Sequence, residues 1–494
     1  MLEKLIEGFI ALLSFWSVVA ALCGLVGGVI VGALPGLTAT MAVAVLTPVT
    51  FFMPLEIALP FLLAVYKGAI YGGSIPAILI NTPGTAAAAA MTMDGHALAQ
   101  KGMARKALEM SLYAVVVGDL LATIVLITVA APLAAVALKF SSPDFTMLYA
   151  FSLTMIAAVS GSSMVKGLIS AAIGVLLACI GLDPMSGLER FTFGVVDLMG
   201  GVSLVPLLIG MFALSEILIQ AETGGGKGKL TADPTSGAGV TFSEFRKVFV
   251  SILRGTGIGA FLGALPGLGA EISCWISYGI AKKRSRHPEE YGQGSLEGVA
   301  AAESGANAVC PAALIPMLVF GIPGDTVTAV LLGAFMAQGL LPGPLLFVNH
   351  SEVLYGLFAF LLLTNVTLLV LGYGAIRYVV KIILIPKAVL LPIVATLCFA
   401  GSFAVNSSYF DVLVTVLGGF AGYVMRKTGV PVPPLVIALL LAPGFENALR
   451  QSLMFSDNSL IIFLTRPISA AIFALLVLVL AFSVWSGVRK KRTA

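Results

Sequence analysis

The apolar run from Phe9 to Leu34 holds no charged residue, exceeds the roughly 20 residues that cross a bilayer, and is only the first of many in this 494-residue chain. Hydrophobic residues make up 59% of the sequence and charged residues 11%, against roughly 25% charged in a soluble domain. A soluble enzyme is thereby excluded. Because lipid offers no partners to backbone N–H and C=O groups, the expectation is an all-α polytopic membrane protein of about 10–12 transmembrane helices plus re-entrant hairpins. The first run is longer than a signal-peptide core of about 7 to 15 residues and follows Glu3, Lys4 and Glu7, so it reads as a retained first helix.

Only two polar stretches interrupt the apolar pattern at length: about Gln220 to Lys247, rich in glycine around Gly224 to Gly226, and Ala281 to Gly298. Neither is long enough for a nucleotide-binding domain, and Gly224 to Lys229 lacks phosphate-loop spacing. The net charge of +4 suggests no nucleic-acid partner. Cys23, Cys179, Cys274, Cys310 and Cys398 have no paired spacing and read as buried thiols, so no metal centre beyond a Na⁺ site is expected. His96, His287 and His350 are isolated, and no catalytic constellation stands out.

An internal repeat organises the chain. GALPGLTA, from Gly32 to Ala39, recurs as GALPGLGA, from Gly263 to Ala270, at a shift of 231 positions. SIPAILINTPGT, from Ser74 to Thr85, aligns with LIPMLVFGIPGD, from Leu314 to Asp325, at a shift of 240. The predicted division is a first membrane repeat over 1–220, a polar linker over 221–247, a second repeat with extra helices over 248–480, and a helix end with a basic tail over 481–494. Charge placement inverts between the halves. Pro48 to Ala58 holds no Lys or Arg whereas its counterpart is the Lys282 to Arg286 cluster; after the second motif, Lys101, Arg105 and Lys106 face a Gln338 to Glu352 segment without any. Since Lys and Arg collect in cytoplasmic loops, this is the signature of two inverted-topology repeats, and Arg489 to Arg492 place the C-terminus in the cytoplasm.

The motifs point to chemistry because a helix broken inside the membrane survives only against protein or a wet cavity. After Pro35 and Pro266 a new helix can present free N–H groups and a positive dipole end to a carboxylate, from Gly36, Leu37, Thr38 and Ala39 in one half and Gly267, Gly269 and Ala270 in the other. The carbonyls of Gly32 to Leu34 and Gly263 to Leu265 would suit a small cation. Asn81, Thr82, Pro83, Gly84 and Thr85 form a third tip, and Gly321, Pro323 and Gly324 a fourth; all four are expected to converge on one site. Asp325 and Glu271, with Thr326 and Thr40 beside or opposite them in the repeat, are candidates for cation coupling, with helix capping as the other reading of both acids. Lys67 either attracts the anion or snorkels to an interface. Asp119 has no evident partner, and Glu303 with Asn307 either lines the pathway or locks two helices.

At these motifs the chain resembles the large membrane subunit of tripartite tricarboxylate transporters, the TctA family. The strings that carry the resemblance are GALPGLTA, YGGSIPAILINTPGTAAAAA (Tyr71 to Ala90) with DGHALAQKG (Asp94 to Gly102), PGLGAEISCWISYGIAKK (Pro266 to Lys283), and Glu303 to Phe335 leading into PGPLLF (Pro342 to Phe347). The resemblance implies a bacterial inner-membrane permease that works with a small membrane subunit and an extracytoplasmic solute-binding protein, and imports a di- or tricarboxylate on a cation gradient, commonly Na⁺. A self-sufficient symporter and a passive channel stay open as alternatives. Two residues depart from the family pattern: Lys67 stands where an aromatic residue is usual, and Asp119 where a small one is.

Overall fold

The computed structural model describes residues 2–158, 163–223, 233, 235–383 and 387–493, with side chains over 3–155, 163–222, 233, 235–374 and 388–481. The glycine-rich part of the linker, Gly224 to Lys229 with Pro234, lies outside the described residues, as do the side chains of Arg489 to Arg492. The architecture is all-α; among the described residues a single two-stranded antiparallel pairing, Gly181–Leu182 with Glu189–Arg190, interrupts it.

Seven of the described helices are long and apolar enough to cross a membrane, among them Phe15–Gly32, Leu55–Ile80, Ala104–Ala137 and Leu296–Phe320, and four shorter apolar helices accompany them. Two of the short ones, Ala39–Phe52 and Thr326–Ala337, begin directly after the broken motifs, which is where the expected tally of longer crossings is cut down. The Phe9–Leu34 run is not one helix. Ser14 and Ser17 form a reciprocal cap, Ser17 N donating to Ser14 Oγ at 3.0 Å and Ser14 N to Ser17 Oγ at 2.8 Å, so Leu2–Leu12 ends and Phe15–Gly32 starts afresh.

Glycines at a spacing of four set the central packing. A Cβ added at Gly24, Gly28 or Gly32 would lie 2.4, 2.3 or 2.2 Å from the carbonyl oxygens of Phe61, Val65 and Ala69, so Phe15–Gly32 lies backbone to backbone against Leu55–Gly72. The second half repeats this at the shifts read from the sequence. Gly255, Gly259 and Gly263 approach the carbonyls of Ala301, Gly305 and Val309, with added Cβ atoms 2.6, 2.2 and 3.0 Å away, which seats Phe242–Gly263 on Leu296–Phe320. Between helices in lipid, where no hydrophobic effect drives association, such close approach is the main source of attraction. It also aligns the breaks. Gly84 abuts the carbonyl of Gly32, and Gly324 that of Gly263, so in each half the second tip rests on the end of the first helix.

Gly28→Leu would overpack the seam, at a cost of roughly 1–3 kcal/mol or more, whereas an added Cβ at its neighbour Gly27 meets nothing within 4 Å. A lower melting temperature in detergent for Gly28→Leu but not for Gly27→Leu is expected; equal behaviour of the two would contradict the packing. A second prediction concerns the hairpin. The Asp183 carboxylate accepts from the N–H groups of Ser186 and Met185, both at 2.9 Å, and then from Arg450, also at 2.9 Å, which holds its pKa well below the usual carboxylate range. A depressed carboxylate contributes stability that is complete above the ordinary range near pH 4 and is lost as the pH falls well beneath it. Limited proteolysis across 183–190 should find the hairpin closed from pH 7 to pH 4 and open in stronger acid, with Asp183→Asn already open at pH 7.

Candidate functional site

Segments at or just after the four breaks meet at one cavity of about 390 Å³. Thr38–Thr40, Thr85–Ala87, Gly267–Ile272 and Asp325–Val327 line it, with Ile70 on one wall and Pro431, Pro433, Pro434 and Ile437 on another. The shift of 231 carries Thr38–Thr40 onto Gly269–Glu271, and the shift of 240 carries Thr85–Ala87 onto Asp325–Val327, so four lining segments form two equivalent pairs. Their backbones match as well. Gly36 and Gly267 have φ of 93° and 88°, and Asn81 and Gly321, which end Ser74–Ile80 and Leu296–Phe320, have 55° and 69°. These left-handed residues turn the chain sharply enough for a helix to stop and another to begin inside the fold.

The cavity therefore sees helix beginnings. Ala39–Leu46, Gly269–Arg284, Thr326–Ala337 and Pro433–Phe455 each start at its wall. Their states differ. Thr38 caps the first, accepting from Met41 N at 3.1 Å, and Asp325 caps the third through Oδ1, accepting from Thr328 N and Thr328 Oγ1 at 2.7 Å each. Gly269–Arg284 has no side-chain cap, which leaves its first N–H groups open to an anion.

Asp325 is thus a capping residue, and its second oxygen accepts from the buried Tyr66 hydroxyl at 2.6 Å. Glu271 behaves in the opposite way: its side chain caps nothing, its carboxylate makes no hydrogen bond or ion pair among the described residues, and it stands exposed at the cavity wall. Thr40 Oγ1 and Thr326 Oγ1 lie 2.8 Å apart, a hydroxyl bridge between the two halves, and Gly267 N donates to Gly324 O at 2.8 Å, tying together the two tips of the second half.

Of the residues singled out from the sequence, the structure brings Thr38, Ala39, Thr40, Thr85, Gly267, Gly269, Ala270, Glu271, Asp325 and Thr326 to the cavity. Gly36, Leu37, Pro83, Gly84, Gly321, Pro323 and Gly324 do not line it and instead shape the tips from behind, Leu37 within an apolar cluster with Leu34 and Met41. Asn81 and Thr82 are exposed outside the cavity. The carbonyls expected to seat a cation are occupied in the first half, where Leu34 O accepts from Leu37 N at 3.0 Å and Gly32 O packs on Gly84. The Pro431–Ile437 wall escaped the sequence reading; its signal was the Pro-Val-Pro-Pro string, which starts a helix with proline in its first turn.

Lys67 neither faces the cavity nor snorkels. It is 3% exposed and pairs with Asp119 Oδ2 at 2.5 Å, while donating to Leu361 O at 2.8 Å and Thr364 Oγ1 at 2.9 Å. The two departures from the family pattern are one another's partners, one on the Leu55–Gly72 helix and the other on Ala104–Ala137. Glu303 and Asn307 lock helices: Glu303 accepts from Ser111 Oγ at 2.7 Å across to Ala104–Ala137 and from Asn307 Nδ2 at 3.0 Å.

With this geometry in place, the comparisons with known proteins are decisive. A model of the tripartite tricarboxylate transporter TctA family matches residues 18–437. The chain belongs to that family. Two similar proteins come from Agrobacterium vitis: the uncharacterized 52.8 kDa protein in the TAR-I ttuC' 3'region is 33% identical over 492 residues, covering 100% of this chain and 98% of the relative. The uncharacterized protein in the TAR-II ttuC' 3'region is 33% identical over 234 residues, 47% of this chain and 97% of its own length. No solved structure matches the chain. As a TctA-family member this is a multi-pass membrane transporter component and not an enzyme, and the family's transporters are assemblies of several subunits.

The buried ion pair generates a prediction. Lys67→Met leaves the Asp119 charge stranded, and Asp119→Leu does the same to Lys67, each at about 3–5 kcal/mol, whereas the double substitution removes both charges and restores most of the loss. A thermal double-mutant cycle in detergent checks this; additive losses would mean that the two side chains do not interact.

Proposed function

We propose that this chain is the permease subunit of a binding-protein-dependent secondary transporter of the bacterial inner membrane that imports a di- or tricarboxylate by symport with Na⁺ or H⁺. Its partners in this reading are a small membrane subunit and an extracytoplasmic solute-binding protein, and its C-terminus is cytoplasmic. The observation that carries the reading is the charge of the cavity wall. Four helix beginnings favour an anion there, yet the ionisable side chains that line it are Glu271 and Asp325, with no Lys or Arg among them.

A carboxylate substrate about 4 Å from either acid meets a repulsion of roughly 4 kcal/mol at an effective dielectric of 20. Dipoles at helix starts offset only part of that. A cation or proton on the acids removes it, so substrate and cation enter the same cavity most favourably together. Glu271 is the better seat for that charge, because its oxygens are free of protein partners while both Asp325 oxygens are taken. The uncapped start of Gly269–Arg284 then receives the substrate carboxylate, and Thr40 and Thr326 add hydroxyls that can turn toward either. The charge pattern that reads as two inverted halves supports alternating access, for which such repeats are a common plan.

The test is uptake of mono-, di- and tricarboxylates into vesicles, with and without purified binding protein, under imposed Na⁺ or proton gradients. Gradient-driven accumulation of a di- or tricarboxylate that requires the binding protein is expected. Glu271→Gln should lower that accumulation about tenfold or more while exchange of substrate across the membrane continues. Unchanged gradient dependence in Glu271→Gln would remove Glu271 from coupling, and flux that only runs downhill under every gradient would replace the symporter by a channel.

A further inference from the structure

A second, separate groove lies on the outer side of the second half. It encloses about 520 Å³ between Phe242–Gly263 and Gly269–Arg284. Its lining residues fall at helical spacing on both walls: Arg254, Ile258, Phe261 and Leu262 on one helix, and Ile276, Ile280 and Arg284 on the other. The two helices are joined through the Ala264–Leu268 turn, so a residue early in the first stripe lies beside a residue late in the second. Both arginines consequently sit at one end of the groove, and apolar side chains occupy the remaining length of about 12 Å at 1.5 Å per residue.

Three features give this groove a specific occupant. Phe261 is 67% exposed, and Ile276 and Ile280 are exposed beside it, so the apolar walls are not filled by the fold itself. Gly257 lines the groove, and a Cβ added there meets nothing within 4 Å, so an open slot runs along the helix. Finally, neither guanidinium makes an ion pair or hydrogen bond among the described residues, although Arg254 and Arg284 both border an adjoining cleft of about 970 Å³. The acids of that cleft are engaged or set apart: Glu244 binds Lys106 at 2.7 Å, Glu297 accepts from Ser251 and Ser285, and Glu290 has Lys247, Arg286 and His287 in the same lining.

We infer that this groove binds an anionic phospholipid, with the phosphate diester between Arg254 and Arg284 and one acyl chain in the slot beside Gly257 and Phe261. Two unpartnered cations at the head of an exposed apolar groove complement a headgroup that carries a net negative charge, and do not complement a zwitterionic one whose amine already neutralises its phosphate. Cationic stems that reach the interface from an apolar wall are well suited to that position.

Lipid binding to the full chain, purified and stripped of lipid in detergent, is measured by native mass spectrometry with dioleoyl phosphatidylglycerol and dioleoyl phosphatidylcholine in separate titrations. The expected result is a preference for phosphatidylglycerol on the order of tenfold. Arg254→Gln with Arg284→Gln should abolish the preference, and Gly257→Leu, which fills the slot and leaves the arginines in place, should weaken phosphatidylglycerol binding. Glycerol phosphate, which carries the charge without the chain, should compete poorly. Equal binding of the two lipids, a preference that survives both the arginine and the glycine variants, or competition by glycerol phosphate as strong as by the lipid would each overturn the inference. So would a photo-crosslinker at Phe261 that captures a protein subunit in native membranes in place of lipid.

Discussion

The approach of helix backbones through glycine is the interaction on which the rest of this structure depends. Lipid solvates apolar side chains as well as protein does, so these helices associate by close fit, and the three-point glycine seams supply it twice. Gly32 and Gly263 end their helices at the seams, and Gly84 and Gly324 rest against those ends. Were the helices separated by even one methyl group along either seam, the second tip in that half would no longer reach the first. The cavity is thus a product of packing several turns away from it.

The electrostatics of the cavity follow from which helix starts are already satisfied. Thr38 and Asp325 close two of them with their own side chains, while the start at Gly269 is left without one. A protein that supplied a lysine here would hold an anion firmly and release it slowly. This chain instead brings helix beginnings and two acids, Glu271 and Asp325, to one cavity, and under the proposed function that pairing makes an anion's occupancy conditional on a second, mobile charge. Tyr66 links Asp325 to the helix that also carries Lys67 and Ile70, so the acid, the cavity wall and the buried ion pair are rigidly connected.

Much of this was legible in the sequence. The Pro-Gly motifs, their order and their two shifts predicted that four breaks would meet, because a break in lipid needs a shared polar interior, and the breaks do meet. The glycine seams went unread, although the shift of 231 that maps Gly24, Gly28 and Gly32 onto Gly255, Gly259 and Gly263 was the signal for them. What stayed hidden needed distance information. Asp119 is 52 residues from Lys67, and nothing local marks them as partners. Asp325 and Glu271 look alike as acids following a break; only their positions relative to the first turn, N-cap in one case and third helical residue in the other, separate a capped oxygen from a free one. The Pro431–Ile437 wall has no counterpart in the repeat pattern, so the symmetry that revealed the other walls could not reveal it.

The Lys67–Asp119 pair also constrains how such a chain can change over generations. A form with an aromatic residue at position 67 and a small one at 119 is separated from it by two replacements, and either one taken first leaves a lone buried charge. The path between the two forms therefore crosses a fitness valley unless a neutral hydrogen-bonding residue serves as a stepping stone at one site. Asn365 and Thr364, already on the facing helix, make such a detour chemically accessible from the Asp119 side.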